Sequence, residues 1–568
     1  MILYGNLNAI FACSKLQFRI SWTFSLLLFL FLSCKEEHPG KPPTVKKDLT
    51  LVSTSVDGIG NPSNVYSGVS IRPVVKINFR EPIDPASINQ NVVMTSPGNT
   101  PVAIIATVEN SSSLVIKPSR DLASLTPHVV TISNIRSSTG GILKEPVVVK
   151  VGTSYSNIDK FPVISDDDLL TLTQRQTFKY FWDFGHPVSG LARERDTSGE
   201  LITSGGSGFG IMAIIVGVHR QFVTRQEALI RMQKIAGFLK NNAQRFHGAF
   251  PHWLNGSTGA VIPFSAKDNG ADLVETAYLM QGLLTARQYF NGNDPAESAL
   301  RADINTIWNG VEWNWFRRND EQVLYWHWSP DVGWEMNHRI EGWNEALITY
   351  VLAASSNTSS IPKTVYDNGW ARNGQMRNGN VYFGVQLPLG PVLGGPLFFS
   401  HYSFLGINPN GLTDAYANYG IQNAAHSLIN YNYCKANPRG YVGYSEVCWG
   451  LTASDDINGY RVHEPSNDNG VISPTAALSS FPYTPDESMA ALKFFYYKLG
   501  DRIFKEYGFV DAFSLTEPWV ANSFLAIDQG PQIVMIENHR SGLLWNLFMS
   551  SPEIKSGMKR LGFESPDL

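Results

Sequence analysis

Three carboxylates crowd one short stretch of the chain. In Lys267–Leu284, KDNGADLVETAYLMQGLL, Asp268 precedes an Asn269-Gly270 turn signal, and Asp272 and Glu275 follow it at i and i+3. On a helix these last two project from one narrow face, and Asp268 falls near that face if the helix starts early. Leu273, Ala277, Met280 and Leu284 project from roughly the opposite face, as a core stripe does. Acids this close repel one another and push one pKa upward, the condition a general acid or base needs. Acids in the first turn of a helix are also favoured by its dipole, with no chemistry involved. On these residues alone the two readings carry equal weight.

Glycoside hydrolysis is one chemistry such acids serve. It needs carboxyl groups flanking the scissile bond, roughly 6.5–9.5 Å apart in the inverting case. Neighbours at i and i+3 have Cβ atoms about 5–6 Å apart. Asp272 and Glu275 therefore sit on one side of a bound sugar, where they can hold a water together but cannot oppose each other across it. The opposing group must come from another element. Glu345, in RIEGWNEALI, follows a Gly-Trp turn and feeds an apolar helix, where desolvation raises a carboxyl pKa. A helix-capping role fits the same position. Asp528 and Glu537 flank Gln529-Gly530-Pro531, read as a loop-to-helix junction, and Asp455 and Asp456 lie in a Trp449–Tyr460 loop. Each of these also suits a loop hydrogen-bonder.

Aromatic side chains form the second set. Trp253, Trp326, Trp328, Trp334, Trp449 and Trp519 fall in Gly-rich loops, where two or three are expected to stack on ligand and the rest to be core. His401 and Tyr402, in PLFFSHYS, are candidates to contact sugar hydroxyls. Arg339, with Arg193 and Arg195, is a candidate sugar clamp or carboxylate partner. A lone histidine such as His401 is more often a structural hydrogen-bonder. No CxxC or HExxH spacing occurs, so no metal and no cofactor are expected.

These groups need a scaffold, and 568 residues suggest two or three domains. A net charge of −4 gives no electrostatic case for nucleic acid. Lys15 and Arg19 precede an apolar run, Ile20–Leu32, too short to span a bilayer comfortably. It ends Phe31-Leu32-Ser33-Cys34, which resembles a bacterial lipoprotein box with Cys34 as the lipidated residue. Residues 1–33 are thus expected to be a signal peptide. The protein is expected at the outer membrane or cell surface, or facing the periplasm, touching membrane only through its lipid. Residues 34–48 read as a charged, Pro-rich tether. Cys434 and Cys448 could pair or remain free thiols.

From 49 to 153 the pattern is β. Val75, Ile77 and Phe79 alternate with Lys76, Asn78 and Arg80, and turn signals punctuate the runs, as in a sandwich. The run VVKINFREPIDPASI resembles bacterial Ig-like domains, with a spacer role expected. After a linker at 154–165 the period becomes helical from 166 to 568. Thr224-x-x-Glu227 is a capping box, and Asp294-Pro295-x-Glu297 and Thr484-Pro485-x-Glu487 are helix starts. Ten to twelve helices with no sustained strand pattern predict an α-helical toroid or barrel whose loops build a cleft at one end.

Six ordered blocks spread over this region carry a resemblance. They are YFWD (180–183), DNGADLVETAYLMQGLL (268–284), WNEA (343–346), PLFFSHYS (396–403), CWGLTASDD (448–456) and DQGPQIVMIENHRSGLLW (528–545). Together they resemble the glucoamylase-like bacterial family that includes glycoside hydrolase family 144. The resemblance implies an (α/α)6 barrel, inverting cleavage of β-1,2-glucan without metal, and Asp268, Asp272, Glu275 and Glu345 facing the cleft, with Asp528 a further candidate. The assignment expected is Glu345 as acid, with Asp272 and Glu275 holding the water. Endo action is expected first. Exo release of sophorose and non-catalytic glycan binding at the surface are the alternatives.

Overall fold

The computed structural model describes residues 45–568. The expected leader, Cys34 and most of the expected tether lie outside the described residues. No helix among the described residues is long and apolar enough to cross a membrane.

The alternating segment folds as ten strands: β1 (Leu51–Val56), β2 (Ile59–Gly60), β3 (Val65–Val69), β4 (Val75–Phe79), β5 (Val92–Ser96), β6 (Thr100–Val102), β7 (Ile104–Glu109), β8 (Ser113–Pro118), β9 (Pro127–Ile132) and β10 (Val147–Thr153). They form two five-stranded sheets, β2-β1-β4-β8-β7 and β3-β10-β9-β5-β6. Only the β10–β3 pairing is parallel among these. Val75, Ile77 and Phe79 are buried while Lys76 and Asn78 are half-buried, as a strand with one face on a core requires. They meet Leu114, Ile116, Val130, Ile132 and Val149 between the sheets. The Asp84-Pro85 step opens a 3-10 turn in which the Asp84 carboxylate accepts from the Ala86 N–H at 3.0 Å. The sandwich rests on the helical region through Leu125, which joins the helical core, and through Arg502, whose guanidinium donates to the Ser124 carbonyl at 2.9 Å.

The helical region contains α1 (Asp166–Trp182), α2 (Ser204–His219), α3 (Arg225–Asn241), α4 (Leu273–Tyr289), α5 (Pro295–Asn309), α6 (Leu347–Ser355), α7 (Lys363–Val365), α8 (Tyr419–Ala436), α9 (Pro474–Leu478), α10 (Pro485–Lys493), α11 (Leu499–Ile503), α12 (Ala526–Ser541), α13 (Leu543–Met549) and α14 (Pro552–Leu561). Asp528 to Pro531 lie inside the first turns of α12, not at a loop junction. Thr224 and Glu227 make both bonds of the expected capping box, and Asp294 caps α5. Thr484 starts α10 without a side-chain cap.

Two kinds of helix are present. α2, α4, α6 and α9 are buried on nearly every face, and α12 over most of its length. α1, α3, α5 and α14 bury one stripe and expose the other. A helix apolar all round must be enclosed by others, and the packing supplies this. α2 packs on α4 and α12, α4 on α6, and α9 on α12. A 3-10 turn, Ser403–Leu405, touches both α6 and α12. α1, α3 and α5 cover this inner set from outside.

The α2–α4 contact is backbone on backbone. A Cβ added to Gly208 would stand 2.1 Å from the Tyr278 carbonyl oxygen, and one on Gly282 would stand 2.2 Å from that of Gly208. Neither obstacle is a side-chain end that could swing away. Gly208→Ala is therefore expected to force the two helices apart and destabilise the protein by ~1–3 kcal/mol. Gly237→Ala on α3, where the added Cβ meets nothing within 4 Å, is expected to be neutral or to stabilise by up to ~1 kcal/mol. Thermal melts of the two variants check the contrast, and equal melting temperatures would refute it.

Candidate active site

The buried helices turn their N-termini toward a common cavity of about 490 Å3. Thr203 just before α2, Glu275 in the first turn of α4, Glu345 just before α6, and Leu525 and Ile527 at the start of α12 all line it. The positive dipole ends of these helices therefore face the cavity, a setting that favours carboxylates.

Glu275 is fixed from the neighbouring helix. Its Oε2 accepts the Gly205 N–H at 2.7 Å and the Thr203 hydroxyl at 3.4 Å. Gly205 is the one residue type that fits there, because a Cβ would lie 2.5 Å from that same oxygen. Burial pushes the Glu275 carboxyl up. His252 opposes this, while Asp272 and Asp268 add to it, and the outcome is about 6.

Asp272 takes a different part from the one its helical face predicts. It is the N-cap of α4, its Oδ1 accepting from the N–H groups of Val274 at 3.0 Å and Glu275 at 2.9 Å. Its Oδ2 faces His252 Nδ1 at 3.3 Å and His327 Nε2 at 3.5 Å. Asp268 Oδ2 lies 3.6 Å from each of the same two nitrogens. Burial acts to raise the Asp272 pKa, but the two imidazoles outweigh it and hold the carboxyl well below the usual range. Asp268 and Asp272 are both buried and neither lines the cavity. They stand behind the wall, with His252 in front of them. His252 Nε2 is 3.9 Å from Glu275 Oε1. Burial lowers the His252 pKa, yet Glu275, Asp268 and Asp272 together raise it well above its ordinary value, so the ring is an imidazolium. His252, Asp268 and Asp272 also offer three atoms within 4.8 Å of one another, the set that could hold a metal ion.

A short ladder and a hydrogen-bonded clamp explain how histidines remote in sequence reach this place. Asp272 pairs with His327 in a short antiparallel ladder. The segment before Trp253 is clamped between helix starts, since Asp272 N–H donates to the Phe250 carbonyl at 2.9 Å and the Ser204 hydroxyl to that of Pro251 at 2.6 Å.

Glu345 faces the cavity from just before α6, half-buried, with no cation acting on it among the described residues. Its backbone carbonyl accepts the Ser403 hydroxyl and, at 3.4 Å, that of Tyr278. Burial pushes its side chain up to about 7, with the charges of Glu275 and Asp272 adding to the shift.

The remaining expected residues divide sharply. Trp253 and Tyr402 line the cavity, with Phe264, Trp326 and Phe398 supplying further flat faces. Asp455 lines an adjoining depression and is paired with Arg195 at 3.2 Å. Asp528 is buried behind Tyr402 and beside Asp511. Burial and Asp511 push its carboxyl well above the usual range, and Asp511 is itself pushed up to about 7. Four expected contacts are elsewhere. Trp449 is fully buried and donates to the Glu487 carbonyl at 3.2 Å. His401 is buried against Ser480 at 3.1 Å, and burial lowers its pKa to about 3. Arg339 pairs with Glu321 at 2.8 Å, and Trp328 packs on His247 and Trp315. None of the four lines the cavity. Cys434 and Cys448 are free and buried. Glu537 is buried in an ion pair with Arg220 at 2.7 Å.

A family profile described as glucoamylase matches residues 337–552, and one described as a bacterial Ig-like domain matches residues 53–154. An exo β-1,2-glucooligosaccharide sophorohydrolase (non-reducing end) of Parabacteroides distasonis is 47% identical over 420 residues, 70% of this chain. This chain spans 58% of the length of that curated relative. The structure of an endo-β-1,2-glucanase from Chitinophaga pinensis, in complex with sophorotriose and glucose, is 51% identical with a TM-score of 0.70, covering 72% of this chain and 100% of that one. That of a β-1,2-glucanase from Parabacteroides distasonis is 38% identical with a TM-score of 0.68, covering 92% of this chain and 74% of that one.

His252 is the cation that acts on Glu275. His252→Asn is expected to raise the Glu275 pKa above its present value of about 6. Difference-infrared titration of the carboxylate band, with Glu275→Gln as the subtraction control, reads the midpoint. A midpoint that stays or falls would overturn this account of the charge balance.

Proposed function

The chain belongs to the glucoamylase-like bacterial family, glycoside hydrolase family 144, and from that membership we propose that it hydrolyses β-1,2-linked glucan with inversion at the anomeric carbon. The observation that carries the reading is one cavity holding two carboxyls in opposite electrostatic settings, Glu345 without a cation and Glu275 beside one. Glu345, protonated at neutral pH and below, gives its proton to the departing glycosidic oxygen. Glu275, ionised above about 6, takes a proton from the attacking water. The water oxygen bonds to the anomeric carbon as the carbon–oxygen bond to the leaving sugar breaks. Asp272 does not touch the water in this scheme. It holds the imidazolium that keeps Glu275 ionised. Asp268 shares that task.

Trp253, Phe264 and Trp326 offer flat apolar faces for glucosyl rings. Depressions of about 450 and 410 Å3 adjoin the cavity, one sharing Arg195 and Tyr460 with it and the other sharing Glu345 and Phe398. Depressions adjoining the cavity at both ends support endo action. Exo release of sophorose is supported by Tyr460 and the Arg195–Asp455 pair standing between the cavity and the first depression. A purely glycan-binding role accounts less well for a half-buried carboxyl pushed up to about 7 with no cation acting on it among the described residues. The enclosed and covering helices support an (α/α)6 barrel as the architecture. The lipoprotein box supports anchoring through Cys34 at the outer membrane or cell surface, so Cys34→Ser is expected to move the protein from the membrane to the soluble fraction, read by fractionation.

Glu345→Gln is expected to lower kcat by ~10²–10⁴ while leaving glucan binding largely intact. The pH profile of kcat/KM should be a narrow bell, falling below about 6 as Glu275 takes up a proton and above about 7 as Glu345 loses one. NMR of the nascent product should show the α-anomer. Near-wild-type turnover in Glu345→Gln, or a β-anomeric product, would refute the assignment.

A further inference from the structure

A short hairpin, Ala453–Asp456 with Gly459–Val462, overhangs the cavity and both depressions. Its Tyr460 belongs to the wall between the cavity and the first depression, and its Val462 to the wall between the cavity and the second. These two apolar side chains are 51% and 43% exposed. That exposure leaves them available to a ligand.

The hairpin is nevertheless tied down at one point. Asp455, directly opposite Tyr460 in the ladder, accepts both of its contacts from Arg195 at 3.2 and 3.3 Å and a third from the Ser523 hydroxyl. Its N–H donates to Asp511 at 2.6 Å. Arg195 is in turn held by Glu194 at 2.9 Å.

We propose that Tyr460, fixed by the Asp455–Arg195 pair, is the partition that ends the row of sugar-binding positions on the side away from Glu345, and so determines the length of the oligosaccharide released. The inference rests on β-1,2-glucan being the substrate. A glucosyl chain entering past Glu345 meets the Tyr460 ring, and Arg195 and Glu194 at the same end present a donor and an acceptor to the hydroxyls of its terminal sugar. With the ring removed, the cavity and the first depression become one groove, and a longer chain end fits on that side.

The test is product sizing from β-1,2-gluco-oligosaccharides labelled at the reducing end, for the full chain and for two variants. Tyr460→Ala is expected to lengthen the main product by at least one glucosyl unit and to shift the kcat/KM preference toward longer substrates by about tenfold. Tyr460→Phe keeps the ring and is expected to keep the wild-type product pattern, which separates the partition from any general loss of folding. A wild-type pattern in Tyr460→Ala, with activity retained, would overturn the inference. If the unsubstituted protein cleaves other β-glucans but no β-1,2-glucan, the substrate reading fails instead, and the two failures are distinguishable.

Discussion

Everything in the site depends on how closely α2 and α4 approach. Gly205, Gly206, Gly208 and Gly210 crowd the first turns of α2, where each costs about 1 kcal/mol in helix propensity against alanine. Each also marks a contact that a Cβ would obstruct: Glu275 at Gly205, Ala526 of α12 at Gly206, the α4 backbone at Gly208 and the Phe181 ring of α1 at Gly210. α2 is therefore the hub on which three other helices close. The close approach is what brings a main-chain N–H to the Glu275 carboxylate. Were α2 held one side-chain layer further away, that carboxylate would be buried without the hydrogen bond, and burial alone would drive it neutral.

The second determinant is how buried charge is divided. Asp268, Asp272 and Glu275 would repel one another into protonation if left alone. The His252 imidazolium joins them into one network with its counter-charge in the middle, so Asp272 remains ionised and Glu275 titrates near neutrality. Glu345 has like charges near it and no cation among the groups acting on it, so it keeps its proton. Two carboxyls of similar intrinsic acidity thereby acquire different proton affinities from their surroundings.

Much of this was legible in the sequence, and the rest fails for identifiable reasons. The β-alternation of residues 75–79, the capping box at Thr224 and the switch to a helical period follow from local periodicity, and the structure has them. Glu275 and Glu345 were reachable because desolvation can be read from apolar neighbours. Asp272 was legible as an acid beside a helix but not as its cap, since the two differ by one residue of helix start. His252 and His327 carry no local signal at all. Their meaning comes from ladder pairing and from a clamp between helix starts, both long-range. Trp449, His401, Arg339 and Trp328 illustrate the converse error. A polar or aromatic residue in a Gly-rich stretch looks exposed to a reader of the sequence, but here such stretches fold inward as 3-10 turns and core, and Trp449 is wholly buried.

The two ends of the cavity solve the same electrostatic problem differently. At the α4 end, clustered acids are balanced by an imidazolium, so their negative charge persists and one of them can act as a base. At the α12 end, Asp511 and Asp528 face each other without such a ring, and both pKa values are driven upward, Asp528 the further. Arg195, the cation acting on Asp511, is already engaged by Glu194 and Asp455. That pair therefore keeps a proton between its two members near neutral pH, as carboxyls in close contact must when no cation intervenes. A carboxyl pair that holds a proton at neutral pH makes a poor base. It can still accept the Asp455 N–H and so fix the root of the overhanging hairpin. Persistent negative charge thus belongs to the end with the histidine and a shared proton to the end without one, although the aspartates at both ends look alike in the sequence.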